Sequence, residues 1–245
     1  HDDYPDVYAA VLAEGATEMR FGEALPPTST NFERQPSDDE LVMLACRRTT
    51  FEWVLRRFAL AEGRVRFRTG VAVDGLVAAD QPGRPKVVGV RLSDGSTVAA
   101  DLVVAAGGRR SVVPEWLREL GAPEVPEQVE DTGIVYYSRF FSLLDGAEYP
   151  DQLGPIGGDL DFLKFGVFRG DDRTFSVTLA VRSDDETLRR ALQDPATFLA
   201  VAGAIPATAA HVEADRAAPI TDVHVMASLL SRRRWFVDAD GEPRV

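Results

Sequence analysis

Cysteine is almost missing from this chain: Cys46 stands alone among 245 residues. An intramolecular disulfide is excluded, and the single thiol points to a reducing, cytoplasmic compartment. Histidine is scarce too. His1, His211 and His224 lie far apart and show no ligand spacing such as His-x-x-x-His, so no metal site is expected. Positive charge is in deficit, with 27 Lys and Arg against 39 Asp and Glu and a formal net charge of -12. Too little cationic surface remains to neutralise the phosphates of duplex nucleic acid, which is excluded as a partner, and an anionic membrane surface is disfavoured. No apolar run approaches the ~20 residues that a membrane-spanning helix requires, and no secretory signal is visible, so integral membrane insertion is not expected. Ser111 lacks a Gly-x-Ser-x-Gly elbow, which argues against hydrolase chemistry. No internal repeat or low-complexity tract occurs.

What is present suits one or two globular domains: 45% hydrophobic and 9% aromatic residues over this length build a sizeable core. A helix is expected over Val7 to Glu14, and a Pro-, Thr- and acid-rich surface excursion fills 22–45. Phe51, Val54, Leu55, Phe58 and Ala59 recur at helical spacing and predict an amphipathic helix from Thr49 to about Glu62. Short β runs follow at Val65 to Arg68, Val71 to Ala79, Lys86 to Leu92 and Thr97 to Ala106, with Asp94-Gly95 as a hairpin turn. Beyond Glu124 the pattern becomes β-rich and aromatic. Strands are expected over Gly133 to Leu143, Phe162 to Phe168, Thr174 to Val181 and His224 to Leu230, with helices over Asp185 to Gln193 and Pro195 to Ala204. The acid pairs Asp2-Asp3, Asp38-Asp39, Asp171-Asp172 and Asp184-Asp185 fall at turns and helix starts. They read as solvated turns and helix-dipole partners, not as a two-carboxylate site. The triplet Arg232-Arg233-Arg234 reads as surface.

The densest signal runs from Ala99 to Leu117, AADLVVAAGGRRSVVPEWL. Leu102 to Ala106 reads as a parallel strand covered on both faces. Gly107 and Gly108 then leave no side chain, so backbone or a ligand can approach closely. Arg109, Arg110 and Ser111 supply donors for phosphate or ribose, and Pro114 suits the first turn of a helix. A plain strand-to-helix turn accounts for the same spacing, and the pattern alone leaves both readings open.

From Cys46 to about Gly121 the chain resembles the middle of an FAD-dependent oxidoreductase of the para-hydroxybenzoate hydroxylase type. Three blocks carry the resemblance. Arg48-Thr49-Thr50-Phe51-Glu52-Trp53-Val54-Leu55 is similar to the family's Arg-x-x-Leu-x-x-x-Leu helix start, which implies that Arg48 lies beside the flavin cofactor. Val65 to Leu76 resembles a strand pair whose backbone touches the adenine, with Val73 as the implied contact. Ala106, Gly107, Gly108 and Arg109 stand where the family has Ala-Thr-Gly or Asp-Gly followed by Arg, and the family's Thr or Asp is missing here. Two further family motifs are missing from the chain, the Gly-x-Gly-x-x-Gly fingerprint for the pyrophosphate and the later Gly-Asp pair at the ribityl chain. With His1 in place of a starting methionine, the simplest expectation is a central segment of a longer protein.

The resemblance implies a mixed α/β fold: a Rossmann-like FAD-binding domain with a β-meander, joined to an antiparallel-sheet substrate domain. The expected boundaries are 1–124 for a partial FAD domain, 125–230 for the substrate domain, and 231–245 for the return to the first. The stripe Tyr136, Tyr137, Phe140, Phe141 divides between the core and an outward face, towards pocket or solvent, and Tyr137, Phe141 and His224 are the expected substrate contacts. The implied function is an FAD-dependent oxidoreductase, reduced by NAD(P)H, that hydroxylates an apolar or aromatic small molecule with dioxygen. The alternatives are a halogenase or an isoprenoid-type reductase on the same fold, and a non-catalytic binding protein or inactive remnant. Catalytic residues stay unassigned, since the flavin carries the chemistry, and the sequence does not address oligomeric state.

Overall fold

The computed structural model describes residues 3–20, 33, 35–150, 156–238, 240 and 241. Residues 22–32 and 34 of the expected excursion, and 242–245 of the expected return to the first domain, lie outside the described residues. In chain order the elements are α1 (Pro5–Ala13), β1 (Thr17–Arg20), β2 (Val42–Ala45), α2 (Arg48–Ala61), β3 (Val73–Ala78), β4 (Val87–Leu92), β5 (Thr97–Ala99) and α3 (Val113–Glu119). Then follow β6 (Glu127–Asp131), β7 (Ile134–Leu143), β8 (Gly157–Asp159), β9 (Leu163–Arg169) and β10 (Thr174–Arg182). The last are α4 (Glu186–Ala191), α5 (Pro195–Ala204), α6 (Pro206–Ala209), β11 (Ala217–Pro219), β12 (His224–Met226) and β13 (Leu230–Arg234). Two compact units result: His1–Val65 with Gly133–Leu229, and Arg66–Thr132 with Leu230–Val245.

In the first unit an antiparallel sheet runs in the order β11-β7-β10-β9-β8, with β12 also paired to β7. β7 is β-branched and aromatic along its length, and every second residue from Val135 to Leu143 is buried. Its register against β10 sets Tyr137 opposite Leu179 and Phe141 opposite Phe175. Those side chains share one core with Val177 and Val181 of β10, Leu192, and Phe198 and Ala202 of α5. Helix starts are capped as their sequences require. Asp185 accepts the Leu188 N–H at 2.9 Å to cap α4, and Asp194 accepts the Thr197 N–H at 2.8 Å to cap α5. A smaller cluster holds α2 on α1 through Val7, Val11 and Val54, with Phe58 partly buried against it. Phe51 and Leu55, expected on the same apolar stripe, are exposed, because α1 covers a narrower strip than the stripe occupies.

The second unit is the meander β3-β4-β5 with α3 beside it, and a ribbon of β6 with β13. Asp94-Gly95 turns the β4–β5 hairpin as expected: Gly95 has φ +82°, and Asp94 Oδ1 accepts the Ser96 N–H at 2.9 Å. At Gly89 a Cβ would stand 2.3 Å from the Val98 carbonyl oxygen, so the hairpin closes only on glycine. The basic triplet is part of β13, where Arg232 and Arg234 pair with Glu127.

Three expected strands are corrected. Residues 65–68 form no strand, the one expected over Thr97 to Ala106 ends at Ala99, and the one expected over His224 to Leu230 ends at Met226. The apolar run Leu102–Ala106 has no ladder partner among the described residues, and Leu102 and Val104 are 79% and 78% exposed. A strand requires a neighbour for its N–H and C=O groups, and here the ladder stops where the Ala100 N–H donates to the Val88 carbonyl. All described strand pairs are antiparallel, so the α/β architecture is built here from a meander and antiparallel sheets. No helix among the described residues is long and apolar enough to cross a membrane.

Candidate functional site

In the second unit, the meander, the run 103–107 and α3 enclose a cavity of about 430 Å³. Val73, Leu76 and Val90 form one wall, Ala105, Ala106 and Gly107 a second, and Trp116 of α3 a third, with Arg110 and Ser111 at the polar end. Three of the expected cofactor residues, Val73, Ala106 and Gly107, thus line one space. Gly107 and Gly108 differ in kind. Gly108 has φ +65°, the left-handed region, and an added Cβ would meet no atom within 4 Å; glycine is required there by conformation. Gly107 has φ -73°, and its added Cβ would stand 3.5 Å from Ser111 Cβ, an ordinary contact. Arg109 follows in the short turn Gly108–Arg110 and is exposed.

Arg48 belongs to the first unit. It opens α2 with its side chain 87% exposed, and its Nε donates to Glu52 Oε1 at 2.6 Å, one turn along the helix. Its neighbour Arg47 is engaged differently. The Arg47 backbone N–H donates to Asp171 Oδ1 at 2.7 Å, and its guanidinium donates to both oxygens of the same carboxylate, at 3.0 Å and 2.7 Å. Thr50 Oγ1 adds a fourth donor at 2.8 Å. Burial at 2% exposure would raise the Asp171 carboxyl, but these hydrogen bonds outweigh it and hold the group well below the usual carboxylate range. The Cys46 thiol beside it is pushed up, by burial first and then by the Asp171 charge. Arg47, Thr50, Trp53, Asp171 and Gly15 line a cavity of about 650 Å³ at this end of α2.

The sheet of the first unit corrects the expected substrate contacts. Tyr137 and Phe141 are each 1% exposed and lie in the core, and Phe141 stacks on Phe175 at 5.3 Å. His224 pairs with Ser138, on the opposite face, which also carries Tyr136 and Phe140. Phe140 meets the His224 ring edge to face at 6.2 Å, and Ser138 Oγ lies 2.7 Å from Thr178 Oγ1 between the two strands. The alternation of β7 was legible, whereas its phase is set by Leu179 and Phe175 across the ladder.

Sequence reading missed two buried polar groups. Asp171 lay in an acid pair at a turn, and no local signal ties it to residues 124 positions earlier. His211 is enclosed edge to face against Phe175 at 5.8 Å, both ring nitrogens buried without a hydrogen-bond partner. Burial, then the Arg169 and Arg216 charges, push its pKa down to about 4. No three Asp, Glu, His or Cys side chains among the described residues gather as a metal site.

Comparison with known proteins gives the fold its relatives. No protein-family model matches the chain. Protein Rv3254 of Mycobacterium tuberculosis (strain ATCC 25618 / H37Rv) is 39% identical over 110 residues, which are 40% of this chain and 22% of that protein. Among solved structures, the flavin-dependent brominase Bmp2 superposes with a TM-score of 0.61 over 99% of this chain and 58% of its own, at 16% identity. PqsL of Pseudomonas aeruginosa, described as a probable FAD-dependent monooxygenase, gives 0.61 over 89% of this chain and 59% of its own, at 14% identity. BrvH, a flavin-dependent halogenase from Brevundimonas sp. BAL3, gives 0.54 over 97% of this chain and 41% of its own, at 18% identity. The fold of this chain is therefore that of flavin-dependent enzymes, and the chain spans about six tenths of the length of Bmp2 and of PqsL.

Proposed function

We propose that this chain belongs to an FAD-dependent oxidoreductase, a monooxygenase that is reduced by NAD(P)H and hydroxylates an apolar or aromatic small molecule. The observation that carries the reading is the likeness to PqsL, over 89% of the chain, together with the arginine helix start and the glycine turn of the resemblance. A halogenase is the second reading, favoured by the flavin-dependent halogenases among the neighbours.

The residues present fit an anionic nucleotide. In the second unit the Gly107 backbone can be approached without a side chain between, Val73 and Ala106 offer apolar walls, and Arg109, Arg110 and Ser111 supply donors. Within the first unit, the resemblance assigns Arg48 a place beside the flavin cofactor, and its side chain at the start of α2 is exposed and able to meet an anion. When bound, FAD supplies the electron transfer from nicotinamide to dioxygen. The chain's own part is to hold it and to present the substrate: Tyr136, Phe140 and His224 share one face of the sheet and offer an aromatic surface for an apolar or aromatic substrate. No acid, base or nucleophile of this chain is needed for the redox step, in keeping with the unassigned catalytic residues.

The test is direct. The protein, expressed as its gene encodes it, is purified, denatured, and the released chromophore recorded by visible spectroscopy. Released FAD, non-covalently held, is the expected result; colourless protein that FAD cannot reconstitute overturns the reading. Reduced enzyme supplied with dioxygen and an aromatic substrate, with and without halide, separates hydroxylation from halogenation by the product's mass.

A further inference from the structure

We propose that Asp171 is a positioning residue for the start of α2, fixing where Arg48 stands and thereby the affinity for the flavin nucleotide. The inference rests on the reading that Arg48 faces the cofactor.

A helix leaves its first N–H groups without intrahelical partners, and an N-cap side chain normally accepts from one of them. Here the N-cap is Arg47, which has only donors to offer, and its side chain makes no cap bond to the helix. The acceptor comes instead from the turn between β9 and β10. Asp171 takes the Arg47 N–H, two guanidinium donors and the Thr50 hydroxyl, which nearly fills the lone-pair sites of one carboxylate.

Asp171 is itself held rigidly. Its carbonyl accepts Thr174 Oγ1 at 2.6 Å and the Thr174 N–H at 3.0 Å. The next two residues, Asp172 and Arg173, are in the left-handed region at φ +49° and +57°, a strained turn that persists only where surrounding contacts determine it. One such contact is the Asp172 N–H donated to the Gly15 carbonyl at 3.3 Å, where a Cβ on residue 15 would stand 2.8 Å from Asp172 N. The Asp171 carboxylate therefore ties the α2 start to the β9–β10 hairpin, and the Asp172 backbone N–H ties that hairpin to the α1–β1 turn. The lock divides the labour between adjacent arginines. Arg47 is consumed by Asp171, while Arg48, one residue on, pairs with Glu52 of its own helix and keeps its side chain 87% exposed.

The experiment measures FAD dissociation constants and melting temperatures for the protein as its gene encodes it. The variants are Arg48→Ala, Asp171→Asn, the double variant, Thr50→Val, and Asp194→Ala as a control that removes the cap of a different helix. If Asp171 acts through Arg48, Asp171→Asn weakens FAD binding about tenfold or more, and the double variant binds no more weakly than the worse single within about threefold, because residues in one network are not additive. The control lowers the melting temperature and leaves FAD affinity unchanged. Unchanged affinity in Asp171→Asn, or losses that multiply in the double variant, overturn the proposal. Should Asp171→Asn not fold, Thr50→Val replaces it, with an expected loss of about threefold for one hydrogen bond that disappears in the Arg48→Ala background; a loss that persists there counts against the proposal. Wild-type protein that binds no FAD is a different failure, seen before any variant is made, and it removes the functional reading as well.

Discussion

Ile134–Leu143 and Leu102–Ala106 are both apolar runs with the composition of strands, and they end in opposite states. The first has Cα partners in β10 along nearly its whole length and in β11 and β12 on its other edge, and its odd-numbered residues are buried beneath α5. The second has no ladder among the described residues and holds Leu102 and Val104 in the open. The difference lies in partners and cover, not in composition. Strand preference is largely the fit of a side chain to a pleated, half-buried surface, so a run without that surface shows little of it.

The largest test of this contrast is truncation in the two runs' surroundings. Phe175→Ala, beneath Phe141 and beside His211, should cost about 3 to 5 kcal/mol in urea unfolding, whereas Leu102→Ala should change stability by less than about 0.5 kcal/mol. A comparable loss at Leu102 would break the comparison and give the exposed run a packed role in solution.

A somewhat smaller effect comes from pH and sharpens how dry the packed side is. His211 takes up its proton less readily in the folded protein, near pH 4, than in the unfolded chain, near 6.5. Between those values the unfolded state binds more protons, so stability is full above about pH 6.5 and falls by up to about 3 kcal/mol as pH drops through 6.5 towards 4. Unfolding series of wild type and His211→Leu across pH 4 to 7 should diverge by that amount. Parallel curves would mean that the imidazole is already hydrated.

Much of the fold was legible because its signals are local. α5 begins and ends where Pro195 and the apolar run to Ala204 place it, and β7 declares itself by β-branched and aromatic residues in sequence. The meander follows from Asp94-Gly95. What was not legible depends on residues far away in the chain. The phase of β7, which sends Tyr137 and Phe141 to the core and leaves Tyr136 and Phe140 beside His224, is decided by β10 and β12. The burial of Asp171 is decided by Arg47 and Thr50. The candidate site was partly visible: Val73, Ala106 and Gly107 meet around one cavity, while Arg48 stands in the other unit.

Whether a flavin nucleotide meets the backbone at the glycine turn is read most directly from Gly107→Ala. At φ -73° with its added Cβ in ordinary contact with Ser111, alanine should leave the melting temperature of the FAD-free protein nearly unchanged. The same methyl group would stand where the cofactor approaches, so the rise in melting temperature at saturating FAD should be largely lost, because stabilisation by a ligand follows its affinity. A rise as large as the wild type's would contradict that contact and make the segment a plain turn between strand and helix.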